Sequence, residues 1–334
     1  MASETNNWKD ETRLGGVDGR FQWKDGCCYW CRNWYGRELV RQLAANGCHV
    51  AMCDISPDNM AKTEELAISE TSDAVRLTSH VCNVSDEADM LGFRDELMIR
   101  HEVDSVDLVF NNAGIGGGGS FVTDEDRMAW EKTFDVCWYG VYYGSRTFLP
   151  LLVSSEEGHL VNTSSINGFW ATVGPGLPHT AYCAAKFAVK GFTEALNIDL
   201  RLHAPHVTAH VVMPGHIGTE IGLNSTAAHG GPDLERMRKN LAERGADVDQ
   251  LTDADLNNLV TLQGERFRDN APTTAAQASE IILNAILENR WRILVGDDAA
   301  VIDELVREDP ESAYETEFLQ RIVDRGHLEF FNMR

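Results

Sequence analysis

No run of apolar residues in this 334-residue chain approaches the roughly 18 needed to cross a bilayer, and its first residues are polar rather than leader-like. Positive charge is scarce, with 29 Lys and Arg against 52 Asp and Glu and a net charge of −23. Such a surface repels phosphate backbones and anionic lipid, which excludes nucleic acid and membrane as partners. Part of the excess sits in the acidic stretch from Asp297 to Glu317, so it says little about a site. A metal centre also lacks its ligands: Cys28-x-x-Cys31 has the spacing of half a zinc site, but no second pair exists. Of the eight cysteines, Cys48, Cys53, Cys82, Cys137 and Cys183 all lie in apolar segments. They read as buried free thiols of a reducing compartment, so a cytoplasmic location is expected. Internal repeats and low-complexity tracts are absent.

What is present is enough apolar residue, 43%, to bury a sizeable core. Residues 1–20 read as a loose polar arm. A helix pattern runs from Gly36 to Asn46 and stops at Asn46-Gly47. A strand from His49 to Cys53 ends at Asp54, and Ser56-Pro57 supplies an N-cap and first position for a helix to about Ser69. Strand, helix and strand follow at Ala74 to Val84, Ser85 to about His101 and Val106 to Phe110. The last runs straight into Asn111-Asn112-Ala113-Gly114. A long helical region to Leu152, strands His159 to Asn162 and Val207 to Val212, helix Thr274 to Leu287 and strand Trp291 to Val295 complete the pattern. Strands alternating with helices mean βαβ units and a parallel sheet, hence an α/β fold. Residues 220–270 interrupt it as a polar, partly helical insertion. Asp54, the Asn-Asn-Ala-Gly run, Ser164-Ser165 and Pro214-Gly215 all follow strand C-termini, the edge where open parallel sheets bind ligands.

The run from His179 to Leu200 reads as a buried amphipathic helix, and residues four apart on it share a face. Tyr182 and Lys186 therefore project together. A free phenol, with a pKa of about 10, is a poor acid or base near neutrality, and a cation one turn away favours its ionised form. Alone, a Tyr and a Lys at this spacing are common on ordinary helices.

Together, Asn111-Asn112-Ala113-Gly114, a serine ahead of a Tyr-x-x-x-Lys helix, and Pro214-Gly215-x-Ile217-x-Thr219 resemble the short-chain dehydrogenase/reductase family, in that family's order, over roughly residues 36 to 300. The resemblance implies a single Rossmann-like domain, a doubly wound parallel sheet over residues 21–300, with 220–270 as a substrate lid and 301–334 as a C-terminal extension. It implies hydride transfer between a nicotinamide cofactor and an alcohol or carbonyl compound. Carried over by position, Tyr182 is the acid/base, Lys186 binds the nicotinamide ribose and lowers the Tyr182 pKa, and Ser165 holds the substrate oxygen. Asn112, Ala113 and Gly114 line the cofactor, with Pro214, Gly215, Ile217 and Thr219 at its nicotinamide end and Gly36 in its phosphate turn. Asp54 either begins a turn or accepts hydrogen bonds from the adenosine ribose; the second role is favoured, and with it NAD over NADP. Asn83 stands where the family usually has Asp beside the adenine. Relatives pair through two long helices, so a homodimer or homotetramer is expected. The substrate is expected to be a small apolar alcohol or ketone, lined by Phe169, Trp170 and Leu177; core packing would explain these three equally well.

Two departures stand out. Cys137 replaces the asparagine that in this family relays protons toward the lysine; a thiol is a weak donor and acceptor. More severely, the first strand and its glycine turn should occupy residues 23–36, yet bulky residues from Trp23 to Tyr35 replace two fingerprint glycines and leave Gly36. Tryptophan has one codon, TGG, so reading one base later forces a glycine at Trp23, Trp30 and Trp34. The shifted reading accommodates Gly-Lys-Thr-Ala-Val-Val-Thr-Gly-Ala-Gly-Thr-Gly-Met-Gly, a buried strand followed by the complete fingerprint. A local shift of reading frame, regained at about Gly36, explains the segment; coding DNA without compensating base changes near codons 21 and 36 refutes it. A non-catalytic Rossmann-type binding or scaffold protein is the alternative, motivated by the altered turn and Cys137. A methyltransferase or epimerase is disfavoured by the Asn-Asn-Ala-Gly turn.

Overall fold

A computed structural model describes residues 27–30 (backbone), 35–71, 74–123, 127–172, 178–243 and 245–327. The polar arm, the bulky turn at 31–34, the Cys28 and Cys31 side chains, Leu177 and the last residues to 334 lie outside the described set.

Strand β1 (Cys27–Trp30) leads to helix α1 (Tyr35–Ala45), β2 (Val50–Asp54) and α2 (Pro57–Ser69). The predicted cap is present: the Ser56 hydroxyl accepts from the Asn59 amide, with Pro57 at the first helical position. Gly47 has φ +88°, the left-handed conformation that ends α1 at the Asn-Gly pair. Next come β3 (Leu77–Val81), α3 (Glu87–His101) and β4 (Leu108–Asn111). The long helical region is α4 (Arg127–Phe134), a π-turn at Asp135–Tyr139, and α5 (Gly140–Val153). Then follow β5 (Gly158–Thr163), α6 (Thr180–His203) and β6 (Val207–Pro214).

The insertion supplies β7 (Ile217–Gly218) and helices α7 (Ile221–Ala228), α8 (Leu234–Glu243) and α9 (Asp253–Asp269). It returns through β8 (Thr273–Thr274), which pairs with β7, a two-residue ladder too short to read from pattern. Helix α10 (Ala275–Leu287) and β9 (Arg292–Val295) complete the sheet. Its seven strands run in the order β3-β2-β1-β4-β5-β6-β9, all parallel.

Side-chain alternation along the strands feeds two layers. Val50, Met52, Leu108 and Phe110 pack with α1 and α10, through Leu39, Leu43, Ile282 and Ile286. Ala51, Cys53, Val109 and Leu160 face the other way, onto Phe93, Phe148 and Leu200 of α3, α5 and α6. Both faces are covered, which is why the strands read as continuous apolar runs. Strand order reverses between β1 and β4, opening the crevice that this topology reserves for ligands.

The chain beyond β9 forms α11 (Asp297–Glu308) and α12 (Thr316–Asp324). The expected boundary near residue 300 thus falls inside a helix. Ile302, Leu305, Ala313, Phe318 and Ile322 close an apolar cluster over Trp170. Five cysteines, Cys48, Cys53, Cys82, Cys137 and Cys183, are buried and in no disulfide. No helix among the described residues is long and apolar enough to cross a membrane.

Candidate active site

The strand ends build the site in layers. At the end of β4, Asn111 Nδ2 donates to Asn162 Oδ1 (2.8 Å), tying β4 to β5. Asn112 faces the other way and accepts from Thr163 Oγ1 at 3.0 Å. Its amide nitrogen is buried and has no acceptor among the described residues. Beyond Thr163, the serine pair divides its labour. Ser164 Oγ donates to the Lys186 carbonyl (2.8 Å), while Lys186 Nζ donates to the Thr163 carbonyl (2.8 Å), so α6 is fastened to the strand end in both directions. The approach leaves no room for a side chain at Gly168, where a Cβ would lie 2.2 Å from Ser164 Oγ. Ser165 accepts from the Asn167 amide (3.1 Å), and its hydroxyl lies beside the Tyr182 phenol.

Tyr182 and Lys186 do share a face of α6, as the four-residue spacing predicts. The ammonium, 1% exposed, sits 5.4 Å from the centre of the phenol ring. Burial pushes the Tyr182 pKa up, Cys137 beside it adds to the rise, and the neighbouring Ser165 hydroxyl pulls it down. Lys186, itself pushed downward by burial, spends a donor on Thr163 and lies over the ring. In this dry setting burial is the largest influence on the Tyr182 phenol. Cys137 occupies the π-turn, with Sγ donating to the Ile115 carbonyl at 3.3 Å.

Ser165 and Tyr182 open into a cavity of about 680 Å³. Pro214, Gly215, Ile217 and Thr219 line one side, and Ile166, Trp170, Ile221 and Phe267 supply apolar walls. Phe169 departs from its predicted place: it packs into the cluster formed by the C-terminal helices rather than lining the cavity. The insertion is anchored to the loop after β4, because Ser225 Oγ accepts from the Gly116 amide (2.8 Å) and His229 Nε2 donates to the Gly116 carbonyl (2.8 Å).

The remaining predicted residues lie along the same sheet edge without lining this cavity. Gly36 is buried in the first turn of α1, and Ala113 and Gly114 follow β4. Asp54, buried at the end of β2, accepts from the Ser56 amide (2.8 Å), which satisfies the turn-forming role. Asn83 accepts from the Ser85 hydroxyl through its side-chain carbonyl (2.8 Å).

Several site residues carry no sequence signal of their own. Tyr35 enters the cavity and donates to Thr163 Oγ1 at 3.0 Å, where a smaller residue would leave space. The His179 ring lies 4.8 Å from that of Tyr182, and burial pushes its pKa down to about 4, so it is neutral near pH 7. Thr163 was findable, as the residue before the serine pair at a strand end. No group of His, Cys, Asp and Glu among the described residues could hold a metal.

The sequence pattern of short chain dehydrogenases matches residues 35–229. The chain is 31% identical over 296 residues to SadH of Mycobacterium tuberculosis, covering 89% of this chain and 92% of that one. Epidermal retinol dehydrogenase 2 of Mus musculus is 32% identical over 164 residues, 49% of this chain and 50% of the relative. A short chain dehydrogenase/reductase from Burkholderia phymatum, solved in complex with NAD, superposes with a TM-score of 0.67 at 25% identity, covering 86% of this chain and 95% of the other.

Proposed function

The chain belongs to the short-chain dehydrogenase/reductase family, and from that premise we propose that this oxidoreductase interconverts an alcohol and a ketone or aldehyde with NAD, using Ser165, Tyr182 and Lys186. The carrying observation is that Ser165 and Tyr182 line one cavity, with the Lys186 ammonium over the phenol ring.

The donor set suits a nicotinamide dinucleotide. Asn112 offers a buried amide still lacking an acceptor, and Lys186 can turn from the Thr163 carbonyl toward a ribose hydroxyl. Pro214, Gly215, Ile217 and Thr219 would hold the nicotinamide end, Asn112, Ala113 and Gly114 the middle, Gly36 the phosphate turn, and Asp54 and Asn83 the adenosine. Asp54 supports NAD, because a carboxylate there repels a ribose 2′-phosphate. When bound, that group supplies or accepts the hydride. Tyr182 delivers its phenolic proton to the carbonyl oxygen during reduction and removes it from the alcohol during oxidation. Ser165 holds that oxygen by a second hydrogen bond. Neutral His179 beside the ring adds no charge, and the apolar walls favour a small apolar alcohol or ketone.

Tyr35 supports a second reading. Its phenol fills part of the cavity and bonds Thr163, so this chain, with bulky residue types at 31–34 where the family has glycine, binds dinucleotide poorly, as a non-catalytic binding protein would. The deciding experiment restores the turn with Trp30→Gly, Cys31→Ala, Arg32→Gly, Asn33→Thr, Trp34→Gly and Tyr35→Met. Thermal shift and fluorescence with NAD and NADP then compare both chains. Binding by the restored chain, NAD preferred, supports the enzyme; indifference to both dinucleotides defeats it.

A further inference from the structure

Asp298, on the second position of α11, is 0% exposed. Its Oδ2 accepts from the backbone amide of His216 at 2.6 Å, and its Oδ1 has no partner among the described residues. A carboxylate sealed this deeply with one hydrogen bond is costly, although its place in the first turn of a helix offsets part of the cost. Its surroundings are shaped around it. A Cβ at Gly215 would meet both carboxylate oxygens at 2.2 Å, and one at Gly296, where φ is +97°, would lie 2.5 Å from Oδ1. The loop from Pro214 to Thr219 therefore carries glycine where the carboxylate presses against it.

His216 is held at its other end as well. Its Nε2 donates to the Phe267 carbonyl on α9 at 2.7 Å, and its ring packs 4.2 Å from that of Phe267. Downstream of Asp298, the same helix sends Ile302 and Leu305 into the cluster over Trp170, whose indole donates to the Ala313 carbonyl at 2.7 Å. Trp170 and the Pro214–Thr219 loop are two walls of one cavity.

We propose that Asp298 is a positioning residue: it fixes the His216 backbone and so aims Ile217 and Thr219 into the cavity, making the segment after β9 part of the site. What the loop then holds rests on the hydride-transfer reading; that the carboxylate orders the loop does not.

Two readouts separate these. Hydrogen exchange, on the chain as it exists, compares the 214–219 peptide in wild type, Asp298→Ala and Asp298→Asn. Loss of a charge-assisted hydrogen bond is expected to accelerate exchange there by roughly 10-fold or more in Asp298→Ala, with β4 and β5 unchanged. Asp298→Asn keeps an acceptor oxygen and is expected to stay within about 3-fold of wild type. Unchanged exchange in Asp298→Ala, or acceleration spread equally over the sheet, overturns the proposal. If Asp298→Ala does not fold, Asp298→Ser, whose shorter side chain withdraws the acceptor, takes its place: acceleration confined to 214–219 supports positioning, and unchanged exchange overturns it. In the glycine-restored chain, the dissociation constant for NADH is expected to rise roughly 10-fold with Asp298→Ala and to recover with Asp298→Asn. No NADH binding by any version defeats the hydride reading and leaves the exchange result to judge Asp298.

Discussion

Tyr182 in its apolar surroundings is a neutral phenol, and burial makes its proton harder to lose than in water. In the proposed reaction Tyr182 is the proton donor, so its removal is expected to matter most. Tyr182→Phe in the glycine-restored chain is expected to lower kcat by about 10²- to 10⁴-fold, the range for a positioned acid/base, without changing dinucleotide affinity. Steady-state NADH absorbance and a binding titration check the two halves of that statement. Ser165→Ala is expected to push the Tyr182 pKa still higher, because Ser165 makes the one contact that lowers it, and to move the alkaline limb of the rate profile upward. At this scale the sequence was informative where chemistry and spacing coincide. Tyr182, Lys186 and Ser165 were legible because a helix repeats every four residues and a strand end exposes its last side chains. Asp298 and Tyr35 were not, because their roles arise from contacts between segments far apart in the chain.

Among the elements, β5 and β6 share a buried pair of imidazoles. His210 Nδ1 donates to the Arg290 carbonyl (2.8 Å), so its Nε2 accepts, and His159 Nδ1 must be the donor across the 2.9 Å contact. Burial lowers these pKa values to about 3 for His210 and about 4 for His159, below the unfolded value. The unfolded chain then binds more protons, so the stability of this pair is present above about pH 6.5 and lost as pH falls toward about 4. Chemical denaturation is expected to show stability falling through that window by up to about 1.4 kcal/mol per pH unit for each histidine, and His210→Asn to flatten the slope. Elements were legible in type more than in extent. The caps and breakers at Ser56-Pro57 and Asn46-Gly47 are local and worked, whereas β6 ran on to Pro214 and β7–β8 was invisible. A two-residue ladder has no period to detect. In the C-terminal helices, Phe318 packs 5.8 Å from Trp170. Phe318→Ala is expected to cost about 3–5 kcal/mol where the cluster cannot collapse, and to shift Trp170 emission to the red against a Trp170→Phe control.

For the whole molecule, composition constrained the partners and left the assembly open. Phe187, Ile198 and Leu202 are exposed apolar residues on α6, and Tyr139 is exposed at the end of the π-turn before α5. If the two long helices form the expected interface, Leu202→Glu with Phe187→Glu is expected to halve the mass seen by light scattering, at unchanged circular dichroism. The parallel order of the sheet was inferable from alternating strands and helices, and β1 keeps its central place although its sequence departs from the family pattern. That tolerance fits a strand held by ladders on both sides, while a phosphate turn depends on glycine at particular positions. The measurement closest to the centre is carbonyl-dependent NADH consumption by the glycine-restored chain and by its Tyr182→Phe form, over a panel of apolar ketones. Hydride transfer at this site predicts turnover in the first and a collapse in the second with NADH affinity intact; equal turnover in both contradicts it.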